Sequence, residues 1–109
     1  MKVAIVGSRG LEITNLEDYL PSKTREIVSG GAKGVDSCAA DYARKKGLLL
    51  TEFLPDYKKY KSGAPLKRNL QIIDYADIVI AFWDGRSKGT KHVIDNCRKI
   101  GKDINVFII

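Results

Sequence analysis

The sequence contains one histidine and two cysteines, Cys38 and Cys97, in 109 residues. The cysteines lie far apart and neither belongs to a C-x-x-C pair, so with a single histidine they cannot complete a zinc set, and no metal is expected. Each falls on the apolar face of a predicted helix, and both read as buried thiols. No apolar run approaches the ~20 residues a membrane-spanning helix needs, and the apolar opening VAIV is too short for the core of a signal peptide. The expectation is a cytoplasmic protein with no membrane partner. The chain also lacks G-x-G-x-x-G and the Walker loop, which excludes those two standard nucleotide fingerprints and nothing more. Internal repeats, low-complexity tracts and linkers are absent too. Residues 1–109 are therefore expected to form one domain, large enough to bury a real core.

What the chain has in excess is positive charge. Nineteen Lys and Arg stand against 13 Asp and Glu, a formal net charge of +6, which suits an anionic partner without naming one. Arg44, Lys45 and Lys46, and again Arg98, Lys99 and Lys102, sit in the last turns of two predicted helices, where cations offset the helix dipole. Lys58, Lys59, Lys61, Lys67 and Arg68 have no such explanation. They share one loop and the helix that follows it.

The stretch that organises the chain is Ser29 to Gly47, SGGAKGVDSCAADYARKKG. Val35, Cys38, Ala39, Tyr42 and Ala43 recur at helical spacing and predict an apolar stripe, with Asp36, Asp41, Arg44, Lys45 and Lys46 pointing elsewhere. Short strands at Arg25–Ser29 and Leu48–Phe53 flank it, so the unit is strand, glycine loop, helix, strand, with a parallel pair implied. Gly30, Gly31 and Gly34 permit positive φ and close approach of a ligand to the backbone, and the loop ends on a helix N-terminus with unpaired N–H groups. A phosphate or carboxylate fits such a junction. A tight turn that needs glycine for geometry alone fits it equally.

Around this unit the rest of the chain falls into order. Lys2–Val6 is a continuous apolar run, as expected of a central strand, and it opens into Gly7-Ser8-Arg9-Gly10 at the carboxyl edge of the sheet. There Ser8 can donate to a phosphate and Arg9 can pair with it; the same residues also make an ordinary surface turn. Thr14 and Glu17 form a capping-box pair that predicts a short helix stopped by Pro21. Residues 55–65 form a basic loop, a lid or a rim, in which Tyr57 and Tyr60 can stack on a base or simply pack. Leu66–Tyr75 reads as a helix with Leu66, Leu70 and Ile73 on its stripe.

Asp77–Trp83 is another doubly covered strand. Asp84-Gly85-Arg86-Ser87-Lys88-Gly89-Thr90 then leads into a helix whose stripe includes Val93, Ile94, Cys97 and Ile100, and Ile104–Ile109 is a last strand. The alternation gives an α/β fold: one open, mostly parallel sheet with helices on both faces. Right-handed crossovers bring the loops at Gly7, Gly30, Pro55 and Gly85 to one edge.

GSRG at 7–10, VSGGAKGVDSCAADYA at 28–43, PLKRNLQIIDYAD at 65–77 and AFWDGRSKGTKHVID at 81–95 together resemble the SLOG superfamily of Rossmann-like proteins, most closely its small, single-domain YspA-like members. The resemblance covers nearly the whole chain. It implies a three-layer Rossmann-like core of about five strands, homo-oligomers, no resident cofactor, and a pocket for a nucleotide or a nucleotide-derived small molecule. In that picture Gly30, Gly31, Gly34, Gly89 and Thr90 contact phosphate at two glycine-rich helix entrances, with Gly7 and Ser87 beside them. Ser8 and Arg9 close the site, Asp36 or Asp84 accepts from ribose hydroxyls, and Arg68 pairs with phosphate. Trp83 flanks a base or belongs to the core.

Two better-known branches suggest other activities. The lonely-guy or lysine-decarboxylase-like phosphoribohydrolases cleave the N-glycosidic bond of nucleoside monophosphates with an arginine and a glutamate that follows a P-G-G-x-G-T loop. Arg68 and Gly89-Thr90 can stand for parts of that apparatus, but Lys91, His92, Val93 and Ile94 follow Thr90, so the glutamate is absent at its place. His92 reads as a hydrogen-bonded helix residue. An enzyme on this fold, an N-glycosidase or nucleotide hydrolase, would draw its catalytic groups from Arg68, Asp36, Asp84 and Asp95. The DNA-processing A proteins share a stretch like Ser29–Asp41 and hold single-stranded DNA on a basic surface, which makes nucleic acid the second candidate partner. Their histidine position is Ala40 or Asp41 here, and their additional DNA-binding domains have no counterpart.

Overall fold

A computed structural model describes all residues, 1–109. Five strands form one all-parallel sheet in the order β3-β2-β1-β4-β5. They are β1 (Lys2–Gly7), β2 (Glu26–Ser29), β3 (Leu49–Glu52), β4 (Ile78–Trp83) and β5 (Ile104–Ile108). The helices are α1 (Val35–Lys46), α2 (Tyr57–Tyr60), α3 (Ala64–Tyr75) and α4 (Lys88–Ile100). This is a three-layer, Rossmann-like α/β architecture.

The central strands β1 and β4 bury residues pointing to both faces, as their unbroken apolar runs require. Val3, Ile5, Ile27, Ile80 and Phe82 point to the face covered by α1 and the segment after β1. Ala4, Val6, Val28, Val79 and Ala81 point to the face covered by α3 and α4. Phe82 is fully buried, worth about 2 to 3 kcal/mol of apolar transfer, and Tyr19 meets its ring edge-on at 4.9 Å between centroids.

Four expectations are corrected. The capping-box helix does not form: only a single 3-10 turn, Leu16–Asp18, is present, and its flanking Asn15 makes no side-chain cap. The segment instead lays Ile13, Leu16 and Tyr19 across the sheet over Phe82 and Phe107, a route that a regular helix on the Thr14–Glu17 register would not follow. The basic loop contains α2, capped by the Asp56 carboxylate, which accepts from the Lys59 N–H at 3.2 Å.

The third correction concerns helix faces. On α3 the buried residues are Ala64, Asn69, Ile72 and Ile73, whereas Leu66 and Leu70 are exposed; Ile100 of α4 is exposed as well. The inward face is the one that carries Ile72 and Ile73, which pack with Val93, Ile94 and Cys97 of α4 and with Ala4 and Val6 of β1. On α1, Asp36 does not point away from the protein but is buried, only 7% exposed. Fourth, of the two thiols Cys97 is buried and Cys38 is only partly so.

Candidate functional site

In the strand order 3-2-1-4-5 the chain leaves β1 toward one side of the sheet and β4 toward the other. Between their carboxyl ends the connections diverge, and ligands of open α/β sheets bind in such a gap. A cleft of about 450 Å³ opens there. Gly7 closes β1 opposite Phe82 of β4, and the Ser8 N–H extends the ladder by one bond to the Phe82 carbonyl at 3.1 Å. Val6, Ile72 and Val93 provide apolar lining, and polar groups enter from three sides.

The first side is the β1 turn. Ser8 is almost fully buried, and its hydroxyl accepts the Asp84 N–H at 3.2 Å, tying the two loops together. Arg9 is exposed at the cleft lip. Gly7 tolerates no side chain, because a Cβ would stand 2.6 Å from Val35 Cγ2 and 2.7 Å from the Phe82 carbonyl oxygen.

The second side is the start of α4. Asp84 Oδ1 accepts from the N–H groups of both Arg86 and Ser87 at 2.8 Å, and these bonds hold its carboxyl below the usual carboxylate range. Oδ1 of Asp84 thereby shapes the loop, and the residue also lines the cleft. The first intrahelical bond recorded beyond it runs from the Lys91 N–H to the Ser87 carbonyl, and Ser87 makes no side-chain cap. The N–H groups of Lys88, Gly89 and Thr90 therefore have no acceptor within the helix and carry its positive dipole end. Gly89 and the buried Thr90 line the cleft here, with Ser87 Oγ 3.3 Å from Thr90 Oγ1.

The third side joins the glycine loop to α3. Arg68, half-buried, donates through Nη1 to the Gly30 carbonyl and through Nε to Asn69 Oδ1 at 3.0 Å. Asp36 Oδ2 accepts the Ala32 N–H at 3.2 Å. Burial raises the Asp36 carboxyl pKa, against the Ala32 bond and the nearby Arg68 charge; burial likewise lowers that of Arg68, with Asp36 opposing.

Of the residues singled out in the sequence, Gly7, Ser8, Arg9, Asp36, Arg68, Asp84, Ser87, Gly89 and Thr90 line this one cleft. Gly30, Gly31 and Gly34 do not, and each has a packing reason to be glycine. A Cβ on Gly30 would meet the Arg68 guanidinium at 2.6 Å, one on Gly31 would meet Leu54 at 2.4 Å, and one on Gly34 would meet the Arg9 carbonyl oxygen at 2.3 Å. Asp95 is also outside: it pairs with Lys91 at 2.6 Å on the exposed side of α4.

Trp83 packs at the core margin and donates its indole N–H to the Ser87 carbonyl at 3.0 Å, acting as a strut rather than a lining residue. Lys59 and Lys67 lie 5.2 and 5.6 Å from the centre of the Tyr60 ring, so this ring already has cationic partners.

The residue that sequence reasoning underrated is Asn69. Buried on α3, it accepts from Arg68 and lies 3.4 Å from both the Gly89 carbonyl and His92 Nδ1, linking the two loop systems. The signal was present: it is a polar residue in register with Ala64, Ile72 and Ile73. His92 belongs to this linkage and does not line the cleft.

Fold and cleft define a Rossmann-like α/β protein with a polar cleft at the topological switch point. The chain belongs to the same family as the Gene 61 protein of Mycobacterium phage D29, with 35% identity over 113 aligned positions that cover 92% of this chain and 90% of that protein. No protein-family model matches the chain, and no solved structure matches it significantly.

Proposed function

We propose that this protein binds a nucleotide or a nucleotide-derived small molecule in the switch-point cleft, and that it is a member of the SLOG superfamily. The observation that carries the reading is the start of α4: its first N–H groups, at Lys88, Gly89 and Thr90, have no side-chain cap, and Gly89 and Thr90 line a cleft that also receives Arg9 and Arg68. Helix amides with a positive dipole end and nearby guanidinium groups match a phosphate. The cleft volume of about 450 Å³ is in the range of small-molecule sites. Its apolar lining from Val6, Ile72 and Val93 suits the flat face of a base or sugar.

Within this reading Arg68 positions the glycine loop as well as adding charge, and Asp36 and Asp84 are the two carboxylates that line the cleft. Binding without turnover is the simpler form of the proposal. If the protein is a hydrolase, the acid–base candidates are Asp36 and Asp84, which both line the cleft, and Asp95 lies outside it.

The test is a thermal-shift panel at fixed salt with nucleoside monophosphates, cyclic nucleotides, ADP-ribose, NAD and a short single-stranded oligonucleotide. A ligand that binds the native state raises the melting temperature with the logarithm of its concentration over Kd. The expected result is a shift from a small nucleotide. A shift from the oligonucleotide alone, falling steeply with salt as counterion release requires, would replace this reading by a nucleic-acid surface.

A further inference from the structure

We infer that the basic loop around α2 is a docking surface for the anionic face of a lipid bilayer. This is independent of the nucleotide reading, because the lysines of the loop, Leu54 and Tyr57 do not line the cleft.

Residues 53–73 contain one carboxylate, Asp56, and five cations. Arg68 is turned inward to the Gly30 carbonyl, and the Asp56 carboxylate caps α2 through the Lys59 N–H. Lys58, Lys59, Lys61 and Lys67 remain exposed, and none of them is paired with a carboxylate.

The same loop exposes apolar surface. Leu54 is 65% exposed, Tyr57 57% and Leu66 46%, and α2 buries no residue. Lysines interspersed with exposed aliphatic and tyrosine side chains match the headgroup layer of an anionic bilayer, where the ammonium groups meet lipid charges and the apolar groups reach the acyl boundary. A nucleic acid would meet the same lysines but would give Leu54 and Leu66 no apolar partner. Tyr60, with Lys59 and Lys67 beside its ring, is not free to stack on a base. No helix is long and apolar enough to cross a membrane, and adsorption at the headgroups requires none.

Lys61 adds a separate observation. It is the one non-glycine residue with a positive φ, +56° with a ψ of −131°. Glycine occupies this region without a steric conflict at Cβ, whereas any other side chain there costs backbone strain. A lysine thus stands at the exit of α2 where glycine would fold more easily, and what the strained position retains is an exposed ammonium group.

The experiment is co-sedimentation of the full chain with vesicles of phosphatidylcholine alone and with about one-third phosphatidylserine, at ~0.1 M salt. Binding is expected only to the anionic vesicles. Lys58→Glu/Lys61→Glu should weaken it at least about tenfold, since each cation near such a surface contributes about fivefold. Leu54→Ser/Tyr57→Ser, which leaves the charge unchanged, should weaken it at least about fivefold. Lys23→Glu/Arg25→Glu makes the same change of net charge at the opposite edge of the sheet and should stay within about threefold of wild type. Lys61→Gly should lose about fivefold in vesicle affinity while its urea midpoint holds or rises.

No binding to the anionic vesicles, or equal binding to the neutral ones, overturns the inference and leaves the nucleotide reading standing. Equal losses in Lys58→Glu/Lys61→Glu and Lys23→Glu/Arg25→Glu would show attraction by net charge alone and also overturn it. Undiminished binding by Leu54→Ser/Tyr57→Ser makes the loop a general polyanion surface and overturns the lipid assignment. Unchanged vesicle affinity in Lys61→Gly overturns it too. Should Leu54→Ser/Tyr57→Ser fail to fold, the lysine variants decide.

Discussion

Arg68, one turn into α3, donates to the backbone carbonyl of Gly30, and the space that permits this bond is the missing side chain of Gly30 itself. A loop 38 residues away in sequence is thus fastened to a helix by a cation that also faces the cleft.

Gly30→Ala tests that fastening. The added methyl group would overlap the guanidinium, which can swing away, so the protein should fold but lose the Arg68 bond, at a cost of about 1 to 2 kcal/mol. Urea unfolding measures this loss. Nucleotide affinity should fall in parallel.

Gly34→Ala should be much worse, because its Cβ would stand 2.3 Å from the backbone oxygen of Arg9 at a φ of +74°. Neither partner can move independently, and a loss above about 3 kcal/mol is expected. Gly47→Ala is the reference for an open left-handed site, φ +68° and ψ 25° with nothing within 4 Å of a Cβ, where only the conformational cost of about 1 to 2 kcal/mol applies; Gly34, at ψ −123°, lies outside that region as well as meeting Arg9. Equal losses in the two variants would show that neither the Arg9 contact nor the backbone conformation of Gly34 adds to the cost.

Gly89→Asp separates binding from folding. A Cβ at this position meets nothing within 4 Å, and an acidic residue in the first turn of α4 favours the helix dipole by about 0.3 to 1 kcal/mol. The melting temperature should hold or rise slightly, while the shift produced by a nucleotide disappears. Retained nucleotide binding would move the anion site away from α4.

The pH dependence of stability should carry the sign of Asp36. Burial raises its folded pKa above the ordinary 3.8, so the folded state holds this proton more tightly than the unfolded chain. Its contribution is then full below the unfolded pKa and is lost as pH rises through the folded value. Asp84 runs the other way: its pKa is lowered by two N–H bonds, so its contribution is present above 3.8 and lost as pH falls through the folded value. Urea titrations from pH 3 to 7 should therefore show stability rising more with pH in Asp36→Asn than in wild type. An Asp84→Asn protein should show less of a rise than wild type.

Strands were the most legible part of the sequence, because a parallel strand covered on both faces is an unbroken apolar run, as in Lys2–Val6 and Ile78–Phe82. The α1 stripe was legible for the same reason, since Val35, Ala39 and Ala43 meet a flat sheet. What misled was the choice of helix face and a competing route. Leu66 and Leu70 read as core by hydrophobicity, but α3 packs with Ala64, Asn69 and Ile72 inward, and a single chain does not reveal which of two faces its neighbours will cover.

Thr14 and Glu17 met the local rule for a helix start, and the long-range packing of Ile13, Leu16 and Tyr19 against the sheet prevailed over it. At the site, residue types and loop positions were legible. The pairing of Asp36 with Ala32 and the nearness of Arg68 were not, because they depend on a crossover that brings residue 68 back to residue 30.

The bond from Trp83 to the Ser87 carbonyl makes the chain's single tryptophan an optical gauge of the α4 entrance. Its emission arises from one indole whose polar edge is fixed to the residue preceding the helix amides. Any occupant that draws on those amides will disturb the Ser87 peptide and, through it, the wavelength or intensity of the emission. The protein thus carries its own label for equilibrium titration and stopped-flow mixing, four residues before Ser87 at the helix entrance where an anion is expected to dock.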